Sequence, residues 1–359
     1  MRTVTGVTTI AAMAAATACS TPARTDLPAP TPLGTPVLTV QQSGTTALLQ
    51  AVSPVNDRIV WVSGHAGTFA RTLDGGVSWT AGRVPGADTL QFRDVHAVSA
   101  DTAWLMSAGS GELSRIFKTA DGGRSWSQQH LNRERDAFFD CMAFWDARRG
   151  VVFSDAVRGE HFVLLTDDGG EHWERIPPEG LPPAAPAEGG FAASGTCVVT
   201  VGQMTAFAGT GNAPRAQVLK TTDAGRSWTA HPVPVVSGEA AGIASVAFRD
   251  SLHGVAIGGE IGKPSARGDY VALTVDGGRT WSPGGRFTFA GPAYGAAYVP
   301  GAANPPLVAV GPGGADVSRD DGRSWASIDT LAYWSVGFAS AAAGWAVGPR
   351  GRIVRIRLN

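Results

Sequence analysis

Short apolar runs alternate along the chain with turn-forming residues, a pattern typical of strands and not of amphipathic helices. The clearest runs are three or four residues long and occupy residues 59–62, 103–106, 150–153, 206–208, 254–257 and 307–310. A less apolar strand precedes each run, and a third strand and a tight turn follow it. The pattern predicts an all-β protein built from a repeated unit of short strands.

A sequence motif recurs six times, once after each of these runs. The first copy contains Thr72, Asp74, Gly76 and Trp79. The aspartates of the six copies are Asp74, Asp121, Asp168, Asp223, Asp276 and Asp320. Successive aspartates are 44 to 55 residues apart. This spacing suits the four-stranded blades of a β-propeller.

The motif residues predict a hairpin turn between the third and fourth strands of each blade. An aspartate can accept hydrogen bonds from backbone N–H groups of its own turn. Glycine supplies a positive φ, and the tryptophan is expected to pack between blades. A Ca²⁺ loop is not indicated, because the oxygen-ligand pattern and closing glutamate of an EF-hand are absent. The six aspartates are therefore predicted to be structural.

The end of the chain begins a seventh unit that it does not complete. Residues 335–338, 344–347 and 352–358 predict three strands, with no seventh motif after them. Residues 36–41 could supply the missing fourth strand by pairing with residues 352–358, which would remove two exposed sheet edges. The sequence thus predicts seven antiparallel four-stranded blades in one domain, residues 36–359. Six blades with a C-terminal flap is the alternative.

The N-terminus predicts export. Residues 1–18 combine one positive charge with a short apolar run, as in a signal peptide. Cys19 follows Ala18 as in a bacterial lipobox, although Ala16 stands where leucine is preferred; ordinary cleavage after Ala18 is the alternative. Residues 19–35 are rich in Pro and Thr and predict a flexible tether. A lipoprotein on the periplasmic side of the outer membrane is expected, or else a periplasmic or secreted protein.

Composition and residue spacing argue against nucleic-acid, metal and nucleotide binding, and they leave open whether Cys141 and Cys197 form a disulfide. The formal net charge is −1, so no basic surface for nucleic acid is indicated. No histidine spacing indicates a metal site and no glycine-rich loop indicates a nucleotide, so no cofactor is expected. A monomer is expected. Export permits a disulfide between Cys141 and Cys197, but the usual distance between inner strands of neighbouring blades favours two buried free thiols.

Binding sites of propellers usually lie around the channel mouth, on the face opposite the motif turns. The longest loops predicted there are residues 154–161, 177–190, 209–215 and 258–269. Candidate acid/base residues are Asp140, Asp155 and Glu188. Candidate binding residues are Arg93, Asp94, Ser194, Glu239, Arg249 and Glu260. The alternative for each is a structural role in capping strand ends or ordering channel water.

The motif is identified as the Asp-box, or BNR repeat. With the seven-bladed layout, the chain resembles the photosystem II stability/assembly factor-like propellers of the wider BNR/sialidase-like superfamily. Residues 92–95, 139–146, 188–196 and 247–250 are similar to exported bacterial members without an assigned activity. The resemblance implies the fold. Photosynthetic members bind a partner polypeptide as assembly chaperones, but nothing in this sequence indicates a photosystem.

These observations favour a binding or assembly propeller that recognises an envelope protein or glycan and touches the membrane only through a lipid anchor. The alternative is a glycoside hydrolase or lyase that uses Asp140 with Asp155 or Glu188. A redox role would need a cofactor that no motif indicates. A sialidase is not expected, because the Arg-Ile-Pro sequence at residues 175–177 follows the third motif and places Arg175 on an outer strand.

Overall fold

The computed structural model describes residues 1–3, 6 and 35–358. Cys19 and nearly all of the predicted signal peptide and tether lie outside these residues, so those predictions are untested. Within the described residues, no helix is long and apolar enough to cross a membrane.

The described chain folds into seven four-stranded antiparallel sheets, the blades of a propeller. The N-terminal strand is β1 (Val37–Gln42). Blade 1 contains β2 (Leu49–Pro54), β3 (Val60–Gly64), β4 (Thr68–Thr72) and β5 (Thr80–Arg83). Blade 2 contains β6 (Phe92–Ala97), β7 (Ala103–Ser107), β8 (Arg115–Thr119) and β9 (Ser127–Leu131). Blade 3 contains β10 (Phe139–Phe144), β11 (Gly150–Val157), β12 (Glu160–Thr166) and β13 (Glu174–Arg175).

The remaining blades repeat this order. Blade 4 contains β14 (Val198–Val201), β15 (Thr205–Gly209), β16 (Gln217–Thr221) and β17 (Thr229–Pro232). Blade 5 contains β18 (Ala241–Phe248), β19 (Gly254–Glu260), β20 (Val271–Thr274) and β21 (Ser282–Pro283). Blade 6 contains β22 (Gly295–Tyr298), β23 (Leu307–Gly311), β24 (Gly314–Ser318) and β25 (Ala326–Asp329). Blade 7 contains β26 (Ser335–Ser340), β27 (Ala343–Gly348) and β28 (Arg352–Arg357). Two 3₁₀ turns, Gly111–Leu113 and Pro178–Gly180, lie in connecting segments.

The ring closes as predicted. Strand β1 pairs antiparallel with β28, from Val37 opposite Arg357 to Gln42 opposite Arg352, and so becomes the outer strand of blade 7. The inner strand β26 of blade 7 in turn contacts the inner strand β2 of blade 1. The seven-bladed prediction is confirmed, and the alternative of six blades with a flap is wrong.

The side chain of Gln41 strengthens the closure. Its Oε1 accepts hydrogen bonds from the indole N–H of Trp79 in blade 1 at 3.1 Å and of Trp345 in blade 7 at 3.2 Å. Its Nε2 donates to the carbonyl oxygen of Gly75 at 3.2 Å. One residue of the closing strand therefore links the first and last blades.

The core is divided among the gaps between blades. In the first gap, Trp61 and Phe69 of blade 1 pack with Phe92 and Leu105 of blade 2. Motif tryptophans pack in six of the gaps: Trp126, Trp173, Trp228, Trp281, Trp325 and Trp79. Between blades 6 and 7, where blade 7 has no motif, Leu38 of β1 packs instead. The prediction that these tryptophans pack between blades is confirmed.

Each motif turn is held by the same hydrogen bonds, as the first copy shows. The Asp74 Oδ1 accepts from the backbone N–H of Ser78 at 2.9 Å, and Oδ2 accepts from the Ser78 hydroxyl at 2.6 Å. The Thr72 hydroxyl donates to Asp74 Oδ1 at 2.8 Å and accepts from the N–H of Gly76 at the same distance. In the third copy His172 replaces the serine, and its Nδ1 lies 2.7 Å from Asp168 Oδ2.

These turns predict a specific acid sensitivity. Hydrogen bonds from the side chains of Ser125 and Thr280 lower the pKa of Asp121 and Asp276, respectively, to about 2. As the pH falls, these two carboxylates are protonated in the unfolded chain before they are protonated in the folded chain. The stabilisation that the two ionised aspartates give the folded chain above about pH 4 is therefore lost as the pH falls towards 2. Melting temperatures between pH 2 and 5 should fall less steeply for Asp121→Asn/Asp276→Asn than for the unaltered chain.

The matched control for that experiment is Asp57→Asn, which removes an exposed carboxyl outside the motif. Its acid profile should follow that of the unaltered chain. An unchanged profile in the double variant would contradict the assignment of this pH window to the motif aspartates.

Two predicted loops of the channel-mouth face are shorter than the sequence indicated. Strand β11 continues to Val157 and β12 begins at Glu160, so most of residues 154–161 is strand, with Val157 paired to Glu160. His161, predicted in a loop, is a buried residue of β12. Strand β19 likewise extends to Glu260. Extra ladder pairs satisfy backbone groups that a loop would leave to water.

Candidate binding site at the channel mouth

The inner strands of the blades begin at one face of the propeller, which we call the channel-mouth face, and end at the face that carries the motif turns. The loops between blades and the turns between second and third strands lie on the channel-mouth face. Arg93 and Asp94 stand near the start of β6, and Asp140 near the start of β10. The structure thus brings these three predicted residues to the same end of the channel.

Residues 189–196, which we call the plug, cross this end of the channel. The backbone N–H of Gly190 donates to Asp140 Oδ2 of blade 3 at 3.1 Å. Arg93 Nη1 of blade 2 donates to the carbonyl oxygen of Ala192 at 3.4 Å. Gly189 forms an isolated antiparallel bridge with Gly211 of blade 4. The first half of the plug is therefore held by blades 2, 3 and 4.

The second half of the plug reaches the opposite side of the ring. The Ser194 hydroxyl donates to the carbonyl oxygen of Tyr294, just before blade 6, at 2.7 Å. The Ser335 hydroxyl of blade 7 donates to the carbonyl oxygen of Ser194 at 2.9 Å. Thr196 donates through its hydroxyl to that of Ser245 in blade 5 at 2.7 Å. The candidate residue Ser194 thus lies inside the channel as part of the plug.

Glycines allow the plug to fit against the carboxyl groups below it. A Cβ atom on Gly189 would collide with the carboxyl of Asp155, and one on Gly190 would lie 2.8 Å from Cβ of Asp140. Gly195, at φ +75°, lies against the carboxyl of Asp94. That carboxyl is buried and also accepts from the N–H of Met142 at 2.6 Å. The glycine-rich sequence therefore lets the backbone approach closely.

A disulfide anchors the end of the plug. Cys141 of β10 is bonded to Cys197, the residue directly after the plug, and their Cα atoms are 5.8 Å apart. The preference for two free thiols is therefore wrong. It assumed the ordinary separation of inner strands, whereas Cys197 precedes β14 and its backbone N–H lies 3.0 Å from Cys141 Sγ.

Asp140, which is buried, and Asp155, which is partly buried, form a carboxyl pair beneath the plug. Burial raises the pKa of Asp140 well above its usual range, and the nearby charge of Asp155 raises it further. Burial also raises the pKa of Asp155, to about 7. Because two neighbouring carboxylates do not both ionise in a buried site, the pair shares a proton at neutral pH. Asp140 is only 1% exposed, so a substrate would reach it only if the plug moved.

The pair predicts a pH dependence opposite to that of the motif turns. The pKa of Asp155 is higher in the folded chain than in the unfolded chain. Between about pH 4 and about pH 7 the folded chain retains a proton that the unfolded chain has lost, so the free energy of unfolding falls as the pH rises through this range. Asp155→Asn should reduce this slope and be more stable than the unaltered chain at pH 8. Melting temperatures from pH 4 to 8 test this.

Asp136→Asn is the matched control, since it removes an exposed carboxyl near the same face. Its slope should equal that of the unaltered chain. If Asp155→Asn retained the full slope, another group would be responsible for it.

Glu188, the third predicted acid/base residue, is fully buried beside the plug. Its Oε1 accepts from the Thr210 hydroxyl at 2.7 Å and from Gln217 Nε2 at 3.1 Å. Its Oε2 accepts from the backbone N–H of Ala185 at 2.9 Å. Both oxygens therefore hold the loop that leads into the plug.

The other predicted binding residues lie apart from the channel mouth or at its rim. Arg249 follows β18 on the motif-turn face and is ion-paired with Asp321 at 3.0 Å. Glu260 lies at the end of β19, where Lys263 Nζ is 2.6 Å from its Oε1. Glu239 is exposed in the connection between blades 4 and 5. Glu239 and Glu260 thus lie near the paired ends of β18 and β19 at the rim, whereas Arg249 lies at the other end of β18.

Above the plug lies a cavity of about 120 Å³, open at the channel mouth. Its walls come from blades 1, 2, 5, 6 and 7 and from the plug, through Gln50, Arg93, Phe191, Ala192, Ala193, Ile261, Tyr294 and Trp334. A second cavity of about 290 Å³ lies below the plug inside the channel, lined in part by Asp94, Ser194 and Gly195. The plug therefore separates the channel from the outer mouth.

The binding residues predicted from the sequence are all polar, whereas most of the cavity wall is apolar or aromatic. Of the residues that line this cavity, only Arg93 is among those predicted. Tyr294 and Trp334 each stand directly before an inner strand, and their ring centroids are 5.3 Å apart. Their position directly before β22 and β26 is the feature of the sequence that could have indicated a place at the channel mouth. Within the described residues, no group of three His, Cys, Asp or Glu side chains could hold a metal ion.

The family model of the photosynthesis system II assembly factor YCF48 matches residues 88–289, more than half of the chain. The chain belongs to this family. The match spans the plug, both cysteines of the disulfide and the Asp140–Asp155 pair. No curated protein sequence matches the chain.

Solved structures show the same fold at low sequence identity. A structure described as YCF48 bound to D1 peptide is 18% identical, with a TM-score of 0.62, and covers 90% of this chain and 97% of that one. YCF48 from Cyanidioschyzon merolae is 16% identical, with a TM-score of 0.59 over 89% and 98% of the two chains. The WD40 β-propeller domain of Doa1 is 14% identical, with a TM-score of 0.60 over 90% and 97%.

Proposed function

We propose that this family member is a binding propeller that recognises a partner polypeptide at its channel-mouth face during assembly of that partner. The observation that carries the proposal is the open cavity above the plug, which five blades and the plug build together. Phe191, Ile261 and Trp334 are partly exposed and line this cavity together with Arg93. Aromatic and arginine side chains are the residues that most often anchor protein interfaces.

Two further observations support a polypeptide as the partner. One solved structure of the family is that of YCF48 bound to D1 peptide. The plug crosses the channel below the cavity, so a polypeptide would contact this site from the channel mouth. A glycan partner is the alternative outcome of the experiment below.

The test is capture of partners from an envelope extract by the immobilised propeller, residues 36–359, followed by identification of the bound polypeptides. Trp334→Ala and Phe191→Ala should each reduce capture of the same polypeptide by tenfold or more, because a central interface aromatic typically contributes about 2 kcal/mol or more. Capture that both variants leave unchanged would exclude the channel mouth as the binding surface.

The matched control is Val77→Ala, which removes an exposed apolar side chain from a motif turn on the opposite face. Its capture should equal that of the unaltered propeller. Thermal melts of all variants establish that lost capture does not come from unfolding.

The proposed site of action is the cell envelope, with Cys19 lipidated as the anchor. This rests on the sequence of residues 1–35, which predicts a signal peptide followed by a Pro- and Thr-rich tether. In cells that express the full chain, Cys19→Ala should move the protein from the membrane to the soluble fraction. Unchanged partitioning would show that Cys19 is not the anchor.

The glycoside hydrolase or lyase alternative depends on the Asp140–Asp155 pair, whose raised pKa values suit a proton donor. The full chain would be screened on a polysaccharide panel beside Asp140→Asn. Turnover that the substitution abolishes would support the alternative. Equal turnover by both proteins would exclude Asp140.

A further inference from the structure

The guanidinium group of Arg93 has unused hydrogen-bonding capacity at the channel mouth. Its Nε and Nη2 donate to Gln91 Oε1 at 3.0 and 2.6 Å, and Nη1 donates to the carbonyl oxygen of Ala192 at 3.4 Å. A guanidinium group carries five N–H donors. One N–H on each terminal nitrogen is therefore left without a partner among the described residues, and Arg93 lines the cavity.

The positive charge of Arg93 is also uncompensated at close range. No carboxylate of the described residues forms an ion pair with it within 4 Å. Burial lowers the pKa of Arg93, and the carboxyl group that interacts electrostatically with it, that of Asp140, opposes this shift. Asp140 belongs to the carboxyl pair under the plug, and burial raises its own pKa. Arg93 is the only charged side chain among the residues that line the cavity. An anion in this cavity would thus meet a partly buried cation that no carboxylate of the described residues contacts within 4 Å.

Apart from Gln50, the rest of the cavity wall is apolar or aromatic. Tyr294 is 8% exposed, and Phe191, Ile261 and Trp334 are partly exposed around the opening. The hydroxyl of Tyr294 forms no hydrogen bond with any described residue. The wall can therefore cover a small apolar group while Arg93 holds an adjacent anion, and an arginine binds a planar carboxylate best through two parallel hydrogen bonds.

We infer that the channel-mouth cavity is a specific pocket for a carboxylate that a polypeptide carries beside an apolar side chain, with Arg93 as its anion ligand. The carboxylate belongs either to the free C-terminus of the partner or to an acidic side chain. This inference rests on the proposed function for the identity of the carrier, and it adds the chemical group that is recognised.

The experiment measures dissociation constants of three acetylated tetrapeptides by isothermal titration. The first ends in leucine with a free carboxylate, the second is the same peptide with an amidated end, and the third is amidated but has glutamate before the leucine. The free-acid or glutamate peptide should bind roughly 10- to 100-fold more tightly than the amide, the usual effect of a charge-assisted hydrogen bond. The tighter of the two acidic peptides identifies the source of the carboxylate.

Variants connect this preference to the pocket. Arg93→Gln should abolish the difference between acid and amide, and Arg93→Lys should retain part of it, because lysine keeps the charge without the paired donors. Trp334→Ala should weaken all three peptides equally. Arg124→Gln is the control, since it removes an exposed positive charge on the motif-turn face and should leave every constant unchanged.

Equal binding of all three peptides, or no binding by any, would overturn the inference. So would an acid preference that survives Arg93→Gln in a protein with an unchanged melting temperature. Capture from the envelope extract separates this inference from the proposed function. A partner captured equally by Arg93→Gln contradicts only the carboxylate pocket, whereas an acid preference with no captured partner contradicts only the proposed function.

Discussion

Deletion of residues 1–42 should destroy the cooperative unfolding of this propeller, whereas deletion of residues 1–35 should leave it unchanged. The longer deletion removes β1 and leaves β28 as an open edge with Val354 and Ile356 uncovered. The ladder contributes on the order of 5 kcal/mol if each of its hydrogen bonds adds about 1 kcal/mol. That loss is comparable to the whole stability of many domains. Guanidinium unfolding followed by tryptophan fluorescence measures the difference.

A single substitution separates the closing side chain from the closing strand. Gln41→Leu keeps β1 but leaves the indole N–H groups of Trp79 and Trp345 without their acceptor. Its unfolding free energy should fall by about 2 kcal/mol, because each unpaired indole N–H costs about 1 kcal/mol or more. The deletions of residues 1–42 and of residues 1–35 provide the contradicting outcome for the strand itself. If these two shortened chains unfolded at the same guanidinium concentration, the ring would not depend on β1 for its closure.

Removal of the disulfide should give the second large loss of stability. The bond between Cys141 and Cys197 closes a segment with a sequence separation of 56 residues. Loop entropy predicts that the oxidised protein gains about 4 kcal/mol from this constraint on the unfolded chain. Cys141→Ala/Cys197→Ala should lose that amount in guanidinium unfolding, and dithiothreitol should produce a similar loss in the unaltered protein.

The third cysteine supplies the control. Cys19→Ala should keep both the high stability and the sensitivity to dithiothreitol, because Cys19 lies outside the propeller. The double alanine variant should be insensitive to the reductant. A reductant effect that persisted in the double variant would show that the loss does not come from the Cys141–Cys197 bond.

The site was only partly predictable from sequence. The structure brings Arg93, Asp140 and Ser194, which the sequence predicts at the channel mouth, to that end of the channel. Arg249 was grouped with them although it follows the end of β18, on the opposite face. Polarity identified candidates, but the direction of the strand decides which end of the channel each residue occupies.

The sequence by itself determined the blade number and the motif turns, because the motif appears six times and its hydrogen bonds are local. It also determined the closing strand, because the repeat leaves the seventh blade one strand short. Thr72 and Asp74 form their turn with residues no more than four positions away. The plug, by contrast, was decided only by the tertiary structure. Ser194 finds its partners 100 and 141 residues away, at Tyr294 and Ser335. These contacts join single residues of different blades and follow no repeat, so no pattern in the sequence records them.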